Sequence, residues 1–455
     1  MKSKAGRIAG SLARWVIAVL GVAWVVSNLH LYDRVLLLDD RDLPTDRVLA
    51  RPAAEDAPAF TIRTDGEPLT VASERVVNGP DRKTVQLVDG RTVPLLGMRL
   101  FGDINHQPSV YSLLIKDPDG RGRFIGPGDV AGGFKLDVPQ PRVQQGIRTM
   151  LRNADSEKLA WALIVAPLPF LFTTIRWRRL LGVLGIALTF GRAFVLNMVG
   201  AFYNTFMPGS TGGDVLKAYY AARHAPDHKT GAVMSVVVDR VLGLITLILL
   251  GGTMAGLQWA RAADPNDPVT RACRRVALGA VAILVMAAVG LLLLYTPVVR
   301  RQITRVDRFA KSAAFGHLRK IMHVMHAYRQ RPGLIAWAIL ITLPVHLTTI
   351  VSAMLAGQAF GLPLSAGYYF IVVPVVVLAG AIPISPQGVG VMEAFAYYFT
   401  RQQGATLNQA LALTLSIRLV AVFWNLVGGL FVLRGGYHAP TVAEQEDLAA
   451  TPVAA

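Results

Sequence analysis

Pro208-Gly209-Ser210-Thr211-Gly212-Gly213-Asp214 and Pro383-Ile384-Ser385-Pro386-Gln387-Gly388-Val389-Gly390 each interrupt a long apolar stretch. An acid accompanies each break, Asp214 in the first and Glu393 just beyond the second. Broken backbone at membrane depth leaves amides and carbonyls without helical partners. Lipid cannot satisfy them, so such breaks persist only where protein buries them or where they line a wet cavity. Two of them, one in each half of a membrane chain, point to a substrate site near the bilayer midplane. The expected fold class is therefore an all-α polytopic membrane protein with re-entrant hairpins, plus a small β-rich extracytoplasmic insert after the first span.

Composition supports this outward from the breaks. The 455 residues are 53% hydrophobic with mean hydropathy +0.43. Several apolar runs approach the roughly 20 residues that cross a bilayer. The net charge of +17 is unevenly placed: residues 31–158 hold 18 Lys/Arg and 19 Asp/Glu, leaving 28 basic and 10 acidic residues elsewhere. The basic excess thus belongs to the membrane portion and its loops, where it suits cytoplasmic loops and anionic headgroups. No basic recognition helix or finger motif accompanies it, so nucleic acid is not an expected partner. Cys273 is the only cysteine, which excludes an internal disulfide and a cysteine-based metal site.

Four domains follow along the chain. Residues 1–30 form a basic tail and a signal-anchor helix: Lys2, Lys4, Arg7 and Arg14 precede the apolar run Trp15 to Leu29, and no A-x-A cleavage site follows. Residues 31–157 change character, with short β-favouring runs separated by turn signals such as Asn78-Gly79-Pro80, Asp89-Gly90 and Asp117-Pro118-Asp119-Gly120. Val85 to Val93 reads as a hairpin turning at Asp89-Gly90. His106 stands alone there and reads as a surface residue. Residues 158–436 form the membrane domain, and 437–455 a flexible tail.

Within the membrane domain the expected spans are Leu159–Ile175, Gly231–Leu257, Val276–Tyr295, Leu334–Ala356 and Ala410–Leu433, with the anchor as a sixth. Arg176-Trp177-Arg178-Arg179 reads as a cytoplasmic anchor with an interfacial Trp. The stretch from Arg300 to Arg331 carries nine Lys/Arg and one Asp, a cytoplasmic loop. It falls inside if the Val183–Phe206 segment and its break form a re-entrant hairpin, and outside if that segment crosses. The first arrangement gives six spans, two hairpins entering from opposite faces, and both termini in the cytoplasm. Arg271, Arg274 and Arg275 then lie near the outer face, against the charge bias.

Acids are scarce in the membrane domain, and buried ionisable groups there are functional candidates by default. Asp214, Asp239 and Glu393 lie in or beside apolar sequence, and Arg192 and Arg418 lie well inside it. We expect Arg192 to serve Asp214 and Arg418 to serve Glu393. A structural reading stands beside each. Asp214 can cap the helix beginning at Val215, and Glu393 can sit in a first helical turn where the dipole favours a carboxylate. Asp239-Arg240 can be a local ion pair. Lys217 and Arg223 can be interfacial anchors, or can offset Asp214 beside a phosphate at the helix N-terminus. Gly252-Thr253-Met254-Ala255-Gly256 matches a helix-packing motif. His317, His323 and His326 lack an acid or Cys to complete a metal site. No cofactor is expected.

The stretch from about Leu159 to Gly436 resembles the lysylphosphatidylglycerol synthase transmembrane region, the flippase-like domain family. The matching residues are Arg176 to Leu181, Phe202-Tyr203-Asn204-Thr205-Phe206-Met207-Pro208 running into Gly212-Gly213-Asp214, Asp239-Arg240-Val241-Leu242-Gly243, Pro383 to Glu393, Arg418 and Gly428-Gly429. The resemblance implies an integral membrane protein that moves or flips lipids, in some members aminoacylated phosphatidylglycerol. Departures are Gln387 where Gly is usual, Asp239 where Glu is common, and the β-rich insert. The chain closes about twenty residues after the last span, so the aminoacyl-transferase domain of the full synthases, and lipid lysylation with it, are not expected.

The candidate substrate-binding set is Asn204, Gly212, Gly213, Asp214, Asp239, Arg240, Gly388, Gly390, Glu393, Arg418 and Arg192. The expected role is a lipid flippase or transporter of the bacterial-type inner (cell) membrane, acting on a lipid with an anionic or lipid-linked headgroup. A membrane-embedded enzyme acting on a lipid carrier, and an anchor for the β-rich domain, are the alternatives.

Overall fold

The structure is a computed structural model that describes residues 16, 19–21, 23–27, 29–80, 83–101, 109–134, 136, 141–206, 212–265, 267–295, 326–381 and 388–438. The tips of both breaks, His106, His317, His323 and most of the 300–331 loop lie outside them.

The insert is β-rich, as its composition implies. Strands β1 (Arg34–Leu38), β2 (Pro44–Val48), β5 (Val76–Val77) and β10 (Val143–Gln144) share one antiparallel sheet around β1. Strands β3 (Ala59–Ile62) and β4 (Leu69–Ala72) pair separately, and β6 (Thr84–Gln86), β7 (Thr92–Phe101), β8 (Ser109–Lys116) and β9 (Gly122–Ile125) form a meander. The β6–β7 hairpin turns at Asp89-Gly90. Gly90 has φ +85°, and the Asp89 carboxylate accepts the Arg91 amide at 2.9 Å. Phe60, Met98, Leu113 and Leu114, all fully buried, fill the cores.

Helix α1 (Ile147–Arg152) closes the insert, and the membrane bundle follows: α2 (Ser156–Val165), α3 (Leu168–Val183), α4 (Phe190–Phe206), α5 (Gly212–His224), α6 (Lys229–Arg261), α7 (Pro268–Tyr295), α8 (Pro332–Ala359), α9 (Ala366–Ala381), α10 (Val391–Thr400) and α11 (Leu407–Leu433). Among the described residues five stretches are long and apolar enough to cross a membrane: Ser156–Val183, Pro226–Arg261, Pro268–Gly290, Pro332–Ala359 and Leu407–Leu433. Four of them contain the spans expected there, and Pro268–Gly290 overlaps the expected Val276–Tyr295 over residues 276–290. The sixth, the anchor, is only partly described, with helical residues at 19–21 and 23–27.

The helices beside the breaks are shorter, and each pair folds back on itself through glycine. A Cβ on Gly213 would collide with the Gly200 carbonyl, and one on Gly388 would meet the Gly380 backbone. No side chain larger than hydrogen fits between α4 and α5 or between α9 and the start of α10 at these points. The far ends of the second pair also meet, because the Tyr368 hydroxyl donates to the Phe399 carbonyl at 3.2 Å. The glycine stripes elsewhere act likewise. Gly428 packs on the Met198 carbonyl and Gly429 on the Phe202 ring, joining α11 to α4. Gly252 and Gly256 face Ala280 and Ala277, so the predicted packing motif joins α6 to α7.

The insert docks on one end of the bundle. The Asn408 side chain accepts the His30 amide at 3.1 Å and donates to the carbonyls of His30 (3.0 Å) and Gln145 (2.7 Å). The Asp155 amide donates to the Ala359 carbonyl beside it. At the other end Arg178 donates to the Leu188 carbonyl, and Gly185 faces the His228 ring. The three arginines at the start of α7 stand at the docked end, where Arg275 donates to the Tyr398 hydroxyl at 2.6 Å and Arg274 lies over Trp259. These aromatic partners account for Arg274 and Arg275 at that end.

Candidate functional site

Two charged clusters occupy the bundle interior, one at each break. Their depths follow from helix rise. Asp239 lies ten residues into α6 and Arg418 about ten residues past Asn408, so each is about 15 Å from its own end of the bundle. The clusters are staggered, each nearer one end.

The first cluster is built on α3, α5, α6 and α8. Arg176, 4% exposed, donates to Asp239 Oδ1 at 2.8 Å and to the Thr342 hydroxyl at 2.6 Å. Lys217, also buried, points its ammonium at Asp239 Oδ2 from 3.5 Å and lies 4.1 Å above the Trp177 ring. Trp177 is held by its indole N–H, which donates to the Ser235 hydroxyl at 3.1 Å. One residue on, Arg240 pairs with Asp214. Gly213 donates its amide to Asn204 Oδ1 at 2.8 Å, which fixes the start of α5 against α4. Among the described residues three cations (Arg176, Lys217, Arg240) thus meet two anions (Asp214, Asp239).

Among the described residues the second cluster is smaller. Glu393 is fully buried in the first turn of α10. Its Oε2 accepts the Gly390 amide at 2.8 Å, and its Oε1 accepts from Arg418 at 2.7 Å. Gly390 has φ +85° and Gly388 +69°, conformations that a side chain would strain. The helix-cap reading of Glu393 and its pairing with Arg418 hold together, since one carboxylate has two oxygens.

Three expectations change. Arg192 does not serve Asp214. It is exposed in the first turn of α4, and Asp214 takes Arg240 from α6 instead, because 26 residues of chain bring that helix back beside the break. Asp239 and Arg240 are not a local pair, since successive helical residues point about 100° apart and each finds a partner on another helix. Asp214 lies within the first turn of α5 and not at its cap position.

Sequence reasoning missed Arg176 and Trp177 as interior residues. They read as an interfacial anchor, whereas Arg178 and Arg179 alone behave so, Arg179 stacking on Trp337 at 4.2 Å. The signal was present: Leu180 and Leu181, fully buried, continue the helix beyond the arginines. Thr342 and Ser235 carried no signal of their own. Arg223 is exposed, leaving Lys217 as the buried cation of α5. The remaining candidates, Gly212, Gly213, Gly388 and Gly390, flank the breaks as expected.

Residues 144–429 match the family described as lysylphosphatidylglycerol synthase TM region. The chain is similar to a UPF0104 membrane protein of Methanothermobacter thermautotrophicus, 23% identical over 316 residues, covering 66% of this chain and 90% of that protein. It is also similar to a UPF0104 membrane protein of Methanocaldococcus jannaschii, 31% identical over 108 residues, covering 22% of this chain and 32% of that protein. No solved structure matches.

Proposed function

From the premise that this multi-pass membrane chain belongs to the lysylphosphatidylglycerol synthase TM region family, we propose that it moves a phosphate-bearing lipid between leaflets. The two break-flanking clusters act as successive headgroup stations. The observation that carries this reading is the excess cation among the buried residues Arg176, Lys217 and Asp239, two cations on one carboxylate among the described residues. Burying an unbalanced charge costs several kcal/mol, and an anion seated there removes the imbalance. Lys217 has three N–H donors. Among the described residues its ammonium meets one acceptor, at 3.5 Å, and a ring face. Donor capacity therefore remains for phosphate oxygens beside the start of α5, where the helix dipole also favours negative charge.

The folded-back helix pairs support re-entrant hairpins entering from opposite faces. The first pair is tied near the Arg178–Leu188 end of the bundle, and the second closes at the docked end through Tyr368 and Phe399. With the basic 300–331 loop on the cytoplasmic side, the first station opens inward and the second outward. An anchor for the insert needs none of these interior charges, which weighs against that alternative.

The test is reconstitution in liposomes with headgroup-labelled lipids. The expected result is faster transbilayer movement of a labelled phospholipid than in protein-free liposomes, and no acceleration of a glycolipid without phosphate. Equal rates with and without protein would contradict the proposal.

A further inference from the structure

The insert and the bundle enclose a polar cavity where they meet. Its volume is about 170 Å³. Glu55, Pro141 and Gln145 line it from the insert, and Pro363, Gln403 and Gln409 from the bundle. Glu55 and Pro141 precede the residues that match the family, so the matched region does not build this cavity alone. Its depth follows from its neighbours. Gly361, just past the end of α8, and Thr406, the cap of α11, also line it. It therefore lies at the ends of two spans, where lipid headgroups stand.

Hydrogen bonds fix its frame. Gln409 Oε1 accepts the Thr406 amide at 2.9 Å, and its Nε2 donates to the Gly361 carbonyl at 2.8 Å, so one side chain ties α11 to the turn after α8. The Gln145 carbonyl accepts from Asn408 at 2.7 Å, which sets the insert's wall against the bundle. Glu55 accepts the Arg142 amide at 2.8 Å on one oxygen and the Val143 amide at 3.0 Å on the other. An ionised carboxylate has about four acceptor positions, so about two remain. Among the described residues the side-chain amides of Gln145 and Gln403 make no hydrogen bond. Each keeps its NH₂ donors and its carbonyl acceptor.

This set selects a ligand class. An ammonium group would satisfy Glu55 but leave the amide donors unmatched. A phosphate would take those donors but face the Glu55 carboxylate. Hydroxyls both donate and accept, so they match an acceptor-only carboxylate and two amides at once. The proline rings of Pro141 and Pro363 add apolar wall for the C–H groups between hydroxyls.

We propose that this cavity binds a sugar or polyol, carried by a lipid headgroup or free in solution, with Glu55, Gln145 and Gln403 as its hydrogen-bonding residues. No lining residue belongs to either charged station, so the site does not rest on the transport reading.

The test is amide exchange over residues 143–147 and 401–409 of the full chain in phosphatidylcholine nanodiscs. One arm adds monoglucosyl diacylglycerol to the bilayer, a second adds glucose to the solution, and a third adds phosphatidylserine to the bilayer. Exchange is expected to slow about tenfold as a sugar-bearing ligand approaches saturation, and to stay unchanged with phosphatidylserine. Slowing by the glucolipid supports a lipid-borne ligand, and slowing by glucose alone supports a soluble one. Gln145→Leu with Gln403→Leu is expected to abolish the slowing while leaving the unfolding midpoint unchanged, because neither side chain holds the fold together by a hydrogen bond. If the double variant unfolds, each single substitution is expected to weaken the response. The site is overturned if neither sugar slows exchange, if phosphatidylserine slows it equally, or if the slowing survives these substitutions.

Discussion

The two breaks solve the same backbone problem with different electrostatics. At the second, among the described residues, one carboxylate answers one guanidinium and one backbone amide, and the set is neutral. At the first, among the described residues, five charged groups from α3, α5 and α6 leave one positive charge over. A neutral buried pair is what a helix start needs to survive in lipid. An unbalanced one is costly to fold and is more readily explained by what it binds. On the proposed reading, the difference separates a station whose neutral pair also holds a helix start from a station whose surplus charge favours an anion.

Breaking the second station should cost the most. Arg418→Ala strands Glu393, a fully buried carboxylate, and removing one partner of such a pair costs about 3–5 kcal/mol. Thermal unfolding in detergent checks this. The double substitution Arg418→Met with Glu393→Gln should recover most of the loss, because no charge is then stranded. If Arg418→Ala unfolds like the unsubstituted protein, the second station is not structural.

At the rim of the first station the expected cost is smaller. Arg240 and Asp214 keep 37% and 26% side-chain exposure, so Arg240→Gln should lose about 1 kcal/mol or less, measured the same way. A loss as large as that at Arg418 would erase the contrast between the stations.

The smallest effect concerns the cap at the start of the span that carries Arg176. Lys158, and then the amides of Lys158 and Glu157, hold the Asp155 carboxyl below its ordinary value of 3.8. A lowered folded pKa gives stability that is present above the ordinary value and is lost as pH falls through the lowered one. Asp155→Asn keeps a cap but cannot titrate. Its unfolding midpoint should therefore fall less than that of the unsubstituted protein as the pH is lowered below about 4. Parallel curves would remove Asp155 from the acid response.

Much of this organisation was legible in the chain. Long apolar runs set the five described spans, and Asp-Gly and Asp-Pro-Asp-Gly turns set the insert's hairpins, because both signals are local. Glu393 with Arg418 was legible too, since a lone acid and a lone arginine in apolar sequence have few other partners. The partner of Asp214 was not. Arg192 lies in a comparable apolar run, and only the packing of α6 against the break shows that Arg240 gets there first. Arg176 was hidden by its neighbours, because a basic run beside Trp has the same composition whether it ends a span or passes through one. Lys217 could be read either way until its burial was known. Gly21 gave no sign, since a glycine in an anchor helix is ordinary until the Val389–Gly390 backbone is found against it.

Lys217→Met tests the division most directly. It removes the surplus charge, so thermal stability should stay within about 1 kcal/mol of the unsubstituted protein or rise. Movement of headgroup-labelled phospholipid in liposomes should fall to the protein-free rate. A stable Lys217→Met protein that still moves phospholipid at the unsubstituted rate would contradict the assignment of the first station to the phosphate.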